Sequence, residues 1–85
     1  MTWQIFVRAA AESDLESLSA PDQQTVVSEM FAWVEQGPPR QTPRAVLGVP
    51  MFDDTVASGF RLTYVVDDEL NRVFVIRIRK ALRRD

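Results

Sequence analysis

Gly59-Phe-Arg-Leu-Thr-Tyr-Val-Val-Asp-Asp-Glu-Leu-Asn-Arg-Val-Phe-Val-Ile-Arg-Ile-Arg-Lys80 reads as two long strands joined by a polar turn. From Phe60 the side chains alternate, with Phe60, Leu62, Tyr64 and Val66 on one face and Arg61, Thr63 and Val65 on the other. Arg72 to Lys80 repeats the pattern, which places Phe74, Ile76 and Ile78 on one side and Val73, Val75, Arg77 and Arg79 on the other. The apolar sets are expected to share a core. With Asp67 to Asn71 as a hairpin turn, aligning the buried faces brings Arg61, Arg77 and Arg79 together on the opposite face, because a one-residue slip would bury the arginines. A basic, partly apolar open sheet face is therefore the main functional lead.

At 85 residues the chain is expected to form one domain, residues 1–85, and most of its 46% hydrophobic content is then needed for a single core. Function has to sit on a surface. Cysteine and histidine are both absent, which excludes disulfides, thiol nucleophiles, zinc–thiolate sites and the commonest general base at neutral pH. No signal-peptide pattern opens the chain and no apolar run reaches membrane-spanning length, so a cytoplasmic protein without membrane contact is expected. The net charge of −2 conceals a segregation: residues 1–57 carry three basic and eight acidic side chains, residues 58–85 seven basic and four acidic. A basic carboxyl-terminal part suits a polyanion or an acidic partner chain, and it also discourages edge-to-edge aggregation.

Trp3 to Ala9 is expected to be a strand with Trp3, Ile5 and Val7 on one face. Phe6 on its other face implies that this second face is covered too. Ala11, Leu15 and Leu18 have helical spacing, and Ser19-Ala-Pro21-Asp22 is a helix start with Ser19 as cap. That second helix runs to about Glu35 with an apolar stripe of Val27, Met30, Phe31 and Val34, widened by Val26 and Trp33, and Gly37-Pro38-Pro39 stops it. Arg40 to Arg44 reads as a polar loop. Val46 to Pro50 re-enters the core region, Met51 to Val56 is a weaker strand, and Ala57-Ser58-Gly59 turns into the long one. Asp53, Asp54, Asp67, Asp68 and Glu69 have the oxygen ligands that magnesium or calcium takes. Consecutive acids on a strand point to opposite faces, however, and the second cluster reads as a hairpin tip, so solvated turn chemistry is expected rather than a metal site. No cofactor is expected either.

The order β-α-α-β-β-β and the stretch Ser58-Gly-Phe-Arg61-Leu-Thr-Tyr64 resemble the RelE/ParE superfamily of type II toxin–antitoxin toxins, whose third strand typically reads G-[YF]-R-[VL]-x-Y. Asp14-Leu15-x-x-Leu18, Leu47-Gly48 with Pro50, and Val73-Phe-Val-Ile76 look similar as well. The resemblance implies an α+β fold, a twisted antiparallel sheet with two helices packed on one face and a concave basic face opposite. It also implies metal-independent ribonuclease chemistry on mRNA at the ribosome, in which a ribose 2′-hydroxyl attacks the adjacent phosphate and cations stabilise the developing charge. Arg61 matches the family arginine. Arg77 and Arg79 lie near a further basic position that in this chain is Ala81, and Tyr64 is on the core side, a structural rather than catalytic place.

Where RelE-type enzymes carry basic residues on the second strand, this chain has Asp53-Asp54, and the family's carboxyl-terminal tail with its tyrosine is missing. The ending Ile78-Arg-Lys-Ala-Leu-Arg-Arg-Asp85 looks instead like ParE-type relatives, which inhibit DNA gyrase without cutting RNA. A relative that has lost toxicity and acts only as a protein-binding module is a third reading. In each case a cognate antitoxin is the implied partner, and Arg61, Arg77, Arg79, Lys80, Arg83 and Arg84 are the candidate nucleic-acid-binding or antitoxin-binding residues, the first three also the candidate catalytic ones.

Overall fold

The structure is a computed structural model that describes residues 2–44, 48–56 and 59–81. Strand β1 (Gln4–Val7) leads into helix α1 (Ala9–Glu16) and helix α2 (Ala20–Gln36), followed by β2 (Pro43–Arg44), β3 (Met51–Val56), β4 (Phe60–Asp67) and β5 (Arg72–Lys80). The five strands form one sheet in the order β1-β5-β4-β3-β2. The α+β class and the strand–helix–helix–strand order expected from the sequence are present, with two corrections. Residues 43–44, read as loop, form a short strand against β3, and β1 pairs with β5 in parallel, so the sheet is mixed rather than wholly antiparallel. Two helices intervene between β1 and the hairpins, which is enough chain to carry β1 across and lay it beside β5 in the same direction.

The local signals are those of the sequence. Ser19 accepts a hydrogen bond from the Asp22 amide at 3.3 Å, and Pro21 falls in the first turn, where no amide hydrogen is needed. At the far end Gly37 has φ +81°, a backbone conformation that favours glycine, and a Cβ there would crowd Trp3 Nε1 at 3.0 Å. The Trp3 amide donates to the Val34 carbonyl at 2.7 Å, tying the start of β1 to the end of α2. In the β4–β5 turn, the Asp67 carboxylate accepts from the amides of Glu69 and Leu70, and Asn71 has φ 51°.

The core contains Ala11, Val26, Met30, Trp33, Phe60, Leu62, Tyr64, Val66, Val73, Val75 and Ile78. Trp33 and Tyr64 meet at 4.9 Å between ring centroids, tilted by 54°, and Phe52 stacks on Tyr64 at 5.6 Å. Three readings of the core change. On α2 the buried side is Val26, Met30 and Trp33, while Val27 is exposed and Phe31 is 75% exposed, because with seven apolar residues in nine the periodicity does not single out one stripe. Phe6, expected to lie under a covered face, is 41% exposed and stacks on Phe74 at 5.3 Å. Val49 is exposed rather than part of the core, and Val46 and Leu47, with Ala57 and Ser58, lie outside the described residues.

The largest correction concerns β5. Its core side is Val73, Val75 and Ile78, not Phe74, Ile76 and Ile78. Thr63 pairs with Arg77 but Tyr64 pairs with Val75, so Ile76 is the extra residue of a β-bulge. The bulge lets Val73 and Val75 join the helix side alongside Val66 and Tyr64, and brings Ile78 to the same side opposite Leu62. Without it, one end of the strand would point its apolar side chains away from the core.

Candidate functional site

On the side of the sheet away from the core, strand register sets the outward side chains in rows. Thr55, Arg61 and Arg79 make the first row, across β3, β4 and β5; Asp53, Thr63 and Arg77 make the second. Met51, Val65 and Phe74 make a third, continued by Arg44 on β2 and Phe6 on β1. A basic and polar end thus adjoins an apolar one.

Thr55, Arg61, Arg79, Lys80 and Ala81 line a groove of about 400 Å³ at the end of the first row. Arg61 and Arg79 are directly opposite one another and both exposed, an arrangement that like-charge repulsion makes unfavourable for folding alone. Among the described residues the Arg79 side chain makes no hydrogen bond or ion pair, acting only at a distance on Asp14. Lys80 reaches back to Asp22 at 3.4 Å, at the start of α2. Planar guanidinium groups so placed can receive a phosphate through paired charge-assisted hydrogen bonds.

Arg77 is held elsewhere. Past Val75, where β1 has ended, β5 exposes its edge to α1, and the Asp14 carboxylate fills that edge. It accepts from Arg77 Nε at 2.8 Å, from Arg77 Nη2 at 3.1 Å and from the Ile78 amide at 3.0 Å. The hydrogen bonds from Arg77, assisted by the one from Ile78, hold the Asp14 carboxyl below the usual carboxylate range, and the same pair makes the Arg77 guanidinium still harder to deprotonate. Of the three arginines expected to converge, the structure therefore brings together Arg61 and Arg79, while Arg77 lies one row away in an internal ion pair. Arg83 and Arg84 lie outside the described residues.

Asp53 and Asp54 sit within β3 and divide between the two faces of the sheet, as expected of consecutive acids on a strand. Asp53, on the open side, forms an ion pair with Arg61, Oδ1 lying 3.1 Å from Nε, and accepts a hydrogen bond from Thr63 Oγ1 at 3.2 Å. Asp54 is fully buried on the core side. It accepts from the Tyr64 hydroxyl, from the Thr42 amide at 2.6 Å and from the Gln41 amide at 3.0 Å, while the Tyr64 hydroxyl oxygen accepts from the Arg40 amide at 2.8 Å. Three consecutive amides of the segment before β2 are thereby satisfied by one buried pair. Burial, and then the hydrogen bond donated to Asp54, push the Tyr64 phenol well above its ordinary range. Among the described residues no three acidic side chains gather as a metal site would need.

Sequence reasoning missed Thr55 and the Asp53–Arg61 contact. Both follow from the β3–β4 turn: with Val56 opposite Phe60, Thr55 falls opposite Arg61 and Asp53 opposite Thr63. The signal was the short span 57–59 between two strands.

No family model matches the sequence, and no curated protein matches it. Solved structures do match. One chain of the RelBE2 toxin–antitoxin complex from Mycobacterium tuberculosis superposes with a TM-score of 0.76 at 20% identity, over 94% of this chain and 99% of that one. A chain of the archaeal RelE–RelB complex from Pyrococcus horikoshii gives 0.76 at 14% identity, over 99% and 100%. The isolated RelE toxin of E. coli gives 0.74 at 22% identity, over 98% and 88%. The chain therefore has the fold of the RelE toxins.

Proposed function

We propose that this chain is the toxin of a type II toxin–antitoxin pair, and that its open sheet face acts on mRNA at the ribosome. The observation that carries the reading is the cross-strand pair Arg61–Arg79 beside a groove on the uncovered face of a RelE-like fold. The chemistry is a metal-independent transesterification in which the ribose 2′-hydroxyl attacks the neighbouring phosphate, and Arg61 and Arg79 stabilise the charge that builds on its oxygens. A cognate antitoxin is the protein partner and the cytoplasm the compartment. No helix of the described residues is long and apolar enough to cross a membrane.

Inducing the chain in a bacterial host should arrest growth and produce mRNA cuts at the ribosomal A site. Arg61→Ala should lower the cutting rate by about 100-fold, the usual effect of losing one group that stabilises transition-state charge. Arrest with intact mRNA rejects this reading in favour of a ParE-like gyrase inhibitor, which purified gyrase in a supercoiling assay identifies. Unaffected growth under strong expression points to a non-toxic protein-binding module. That last reading draws on one observation of its own: Arg61 and Arg77 are both engaged by the chain's own carboxylates.

A further inference from the structure

A guanidinium can grip an anion from its side, through Nε and one terminal nitrogen, or end-on, through both terminal nitrogens. In Arg61 the Nε side is occupied: the Asp53 carboxylate forms an ion pair there, with Oδ1 3.1 Å from Nε, and the same oxygen accepts from the Thr63 hydroxyl at 3.2 Å. The Asp53 side chain is 19% exposed and that of Arg61 56%, so the acid is backed by the sheet while the base stays open to solvent. Its neighbour on β3, Asp54, is buried on the opposite side and contributes nothing to this face.

We propose that Asp53 is an internal competitor for the phosphate site, confining Arg61 to end-on contact and weakening the hold of this face on single-stranded RNA. The inference rests on the reading of the face as an RNA-binding one. A phosphodiester entering the groove beside Thr55 and Arg79 meets the negative charge of Asp53 one row away and must either accept half of Arg61 or displace the carboxylate. Arg79, which makes no ion pair among the described residues, is then the stronger phosphate ligand of the two in the native chain. Asp53 thus sets affinity low and makes it depend on how well a ligand replaces it.

The test is Asp53→Asn in the full chain, with binding to a fluorescein-labelled single-stranded oligouridylate followed by anisotropy over a range of salt. Affinity should rise about tenfold, as expected when one like charge is removed near a phosphate. The slope of log K against log salt should steepen by about 0.7, the increment for one more neutralised phosphate on a single strand. Asp53→Thr, which suits a strand and also lacks the charge, should behave the same way, and adding Arg61→Ala to either variant should erase the gain. Unchanged or weaker RNA binding in both variants overturns the inference, as does a gain confined to an acidic peptide. If wild type cuts mRNA yet neither variant binds RNA more tightly, the competitor role fails while the proposed function stands. If the variants gain RNA affinity but the chain neither arrests growth nor cuts mRNA, the competitor role stands and the proposed function fails.

Discussion

Asp53 and Asp54 are adjacent on β3, chemically identical, and sent by the strand to opposite sides of the sheet. On the core side Asp54 is surrounded by donors: a hydroxyl and two amides converge on it, and its exposure is nil. On the open side Asp53 shares one oxygen between a hydroxyl and a largely exposed arginine, next to two arginines that face each other directly. A buried carboxylate left without partners would be prohibitively destabilising, so the core side admits only a complete network. Water on the open side relaxes that demand and leaves room for an arrangement suited to the binding role proposed for this face. The contrast separates the residues that build the fold from those that use it.

Removing Asp54 should break the comparison most visibly. Asp54→Ala strands the Gln41 and Thr42 amides and the Tyr64 hydroxyl, and unsatisfied buried donors cost about 1–3 kcal/mol each, with relaxation letting some reach water. A net loss of roughly 3 kcal/mol is expected, which lowers the melting temperature by roughly 10–20 °C in a chain of this size. Thermal unfolding followed by circular dichroism measures it. A shift of only a degree or two would mean that the segment before β2 is held by something other than this carboxylate.

Tyr64→Phe tests the other half of the same network and should cost less, about 1–2 kcal/mol, because Asp54 keeps its two amide donors. The phenol also gives a pH signature. Its folded pKa is raised above the unfolded value near 10, so above about pH 10 the unfolded state loses its proton first and stability falls as pH rises, while below that point the contribution is complete. Since Tyr64 is the sole tyrosine, absorbance at 295 nm should stay flat through pH 10 in the folded protein and rise only as the chain unfolds. Normal titration near pH 10 with the fold intact would contradict the burial and the bond to Asp54.

The hairpin of β4 and β5, the cap at Ser19, the stop at Gly37 and the core placement of Tyr64 were all legible, because each is set by local chemistry or strict alternation. Strand β5 was not: residues 73 to 76 are all apolar, so alternation over that run favours neither face, and only the three-dimensional match to β4 places a bulge at Ile76. Helix α2 posed the same problem, with Val26, Val27, Met30, Phe31, Trp33 and Val34 offering more apolar surface than one face can bury. The Asp54–Tyr64 network had a usable signal. Phe52, Asp54 and Val56 share one parity, so an acid stood among core-facing residues, and a buried tyrosine needs a partner for its hydroxyl. The grip of Asp14 on Arg77 had none, since 63 residues separate them and the contact exists only because β1 stops short of the end of β5.

The smallest effect on stability is expected at Asp53, and it sharpens the contrast most. Asp53→Asn keeps the side chain's shape and an oxygen able to accept from Thr63 Oγ1, and loses only an ion pair whose arginine is more than half exposed. Exposed pairs of that kind contribute about 0–1 kcal/mol, and the mutual repulsion of Arg61 and Arg79 grows slightly once the acid is gone. Urea unfolding should therefore move by less than about 0.5 kcal/mol with an unchanged m-value, against the several kilocalories expected one residue away. Combined with tighter RNA binding, such near-neutrality would show that this carboxylate is kept for its effect on the ligand. A loss of stability matching that of Asp54→Ala would instead make both acids structural and remove the distinction between the faces on which the functional reading depends.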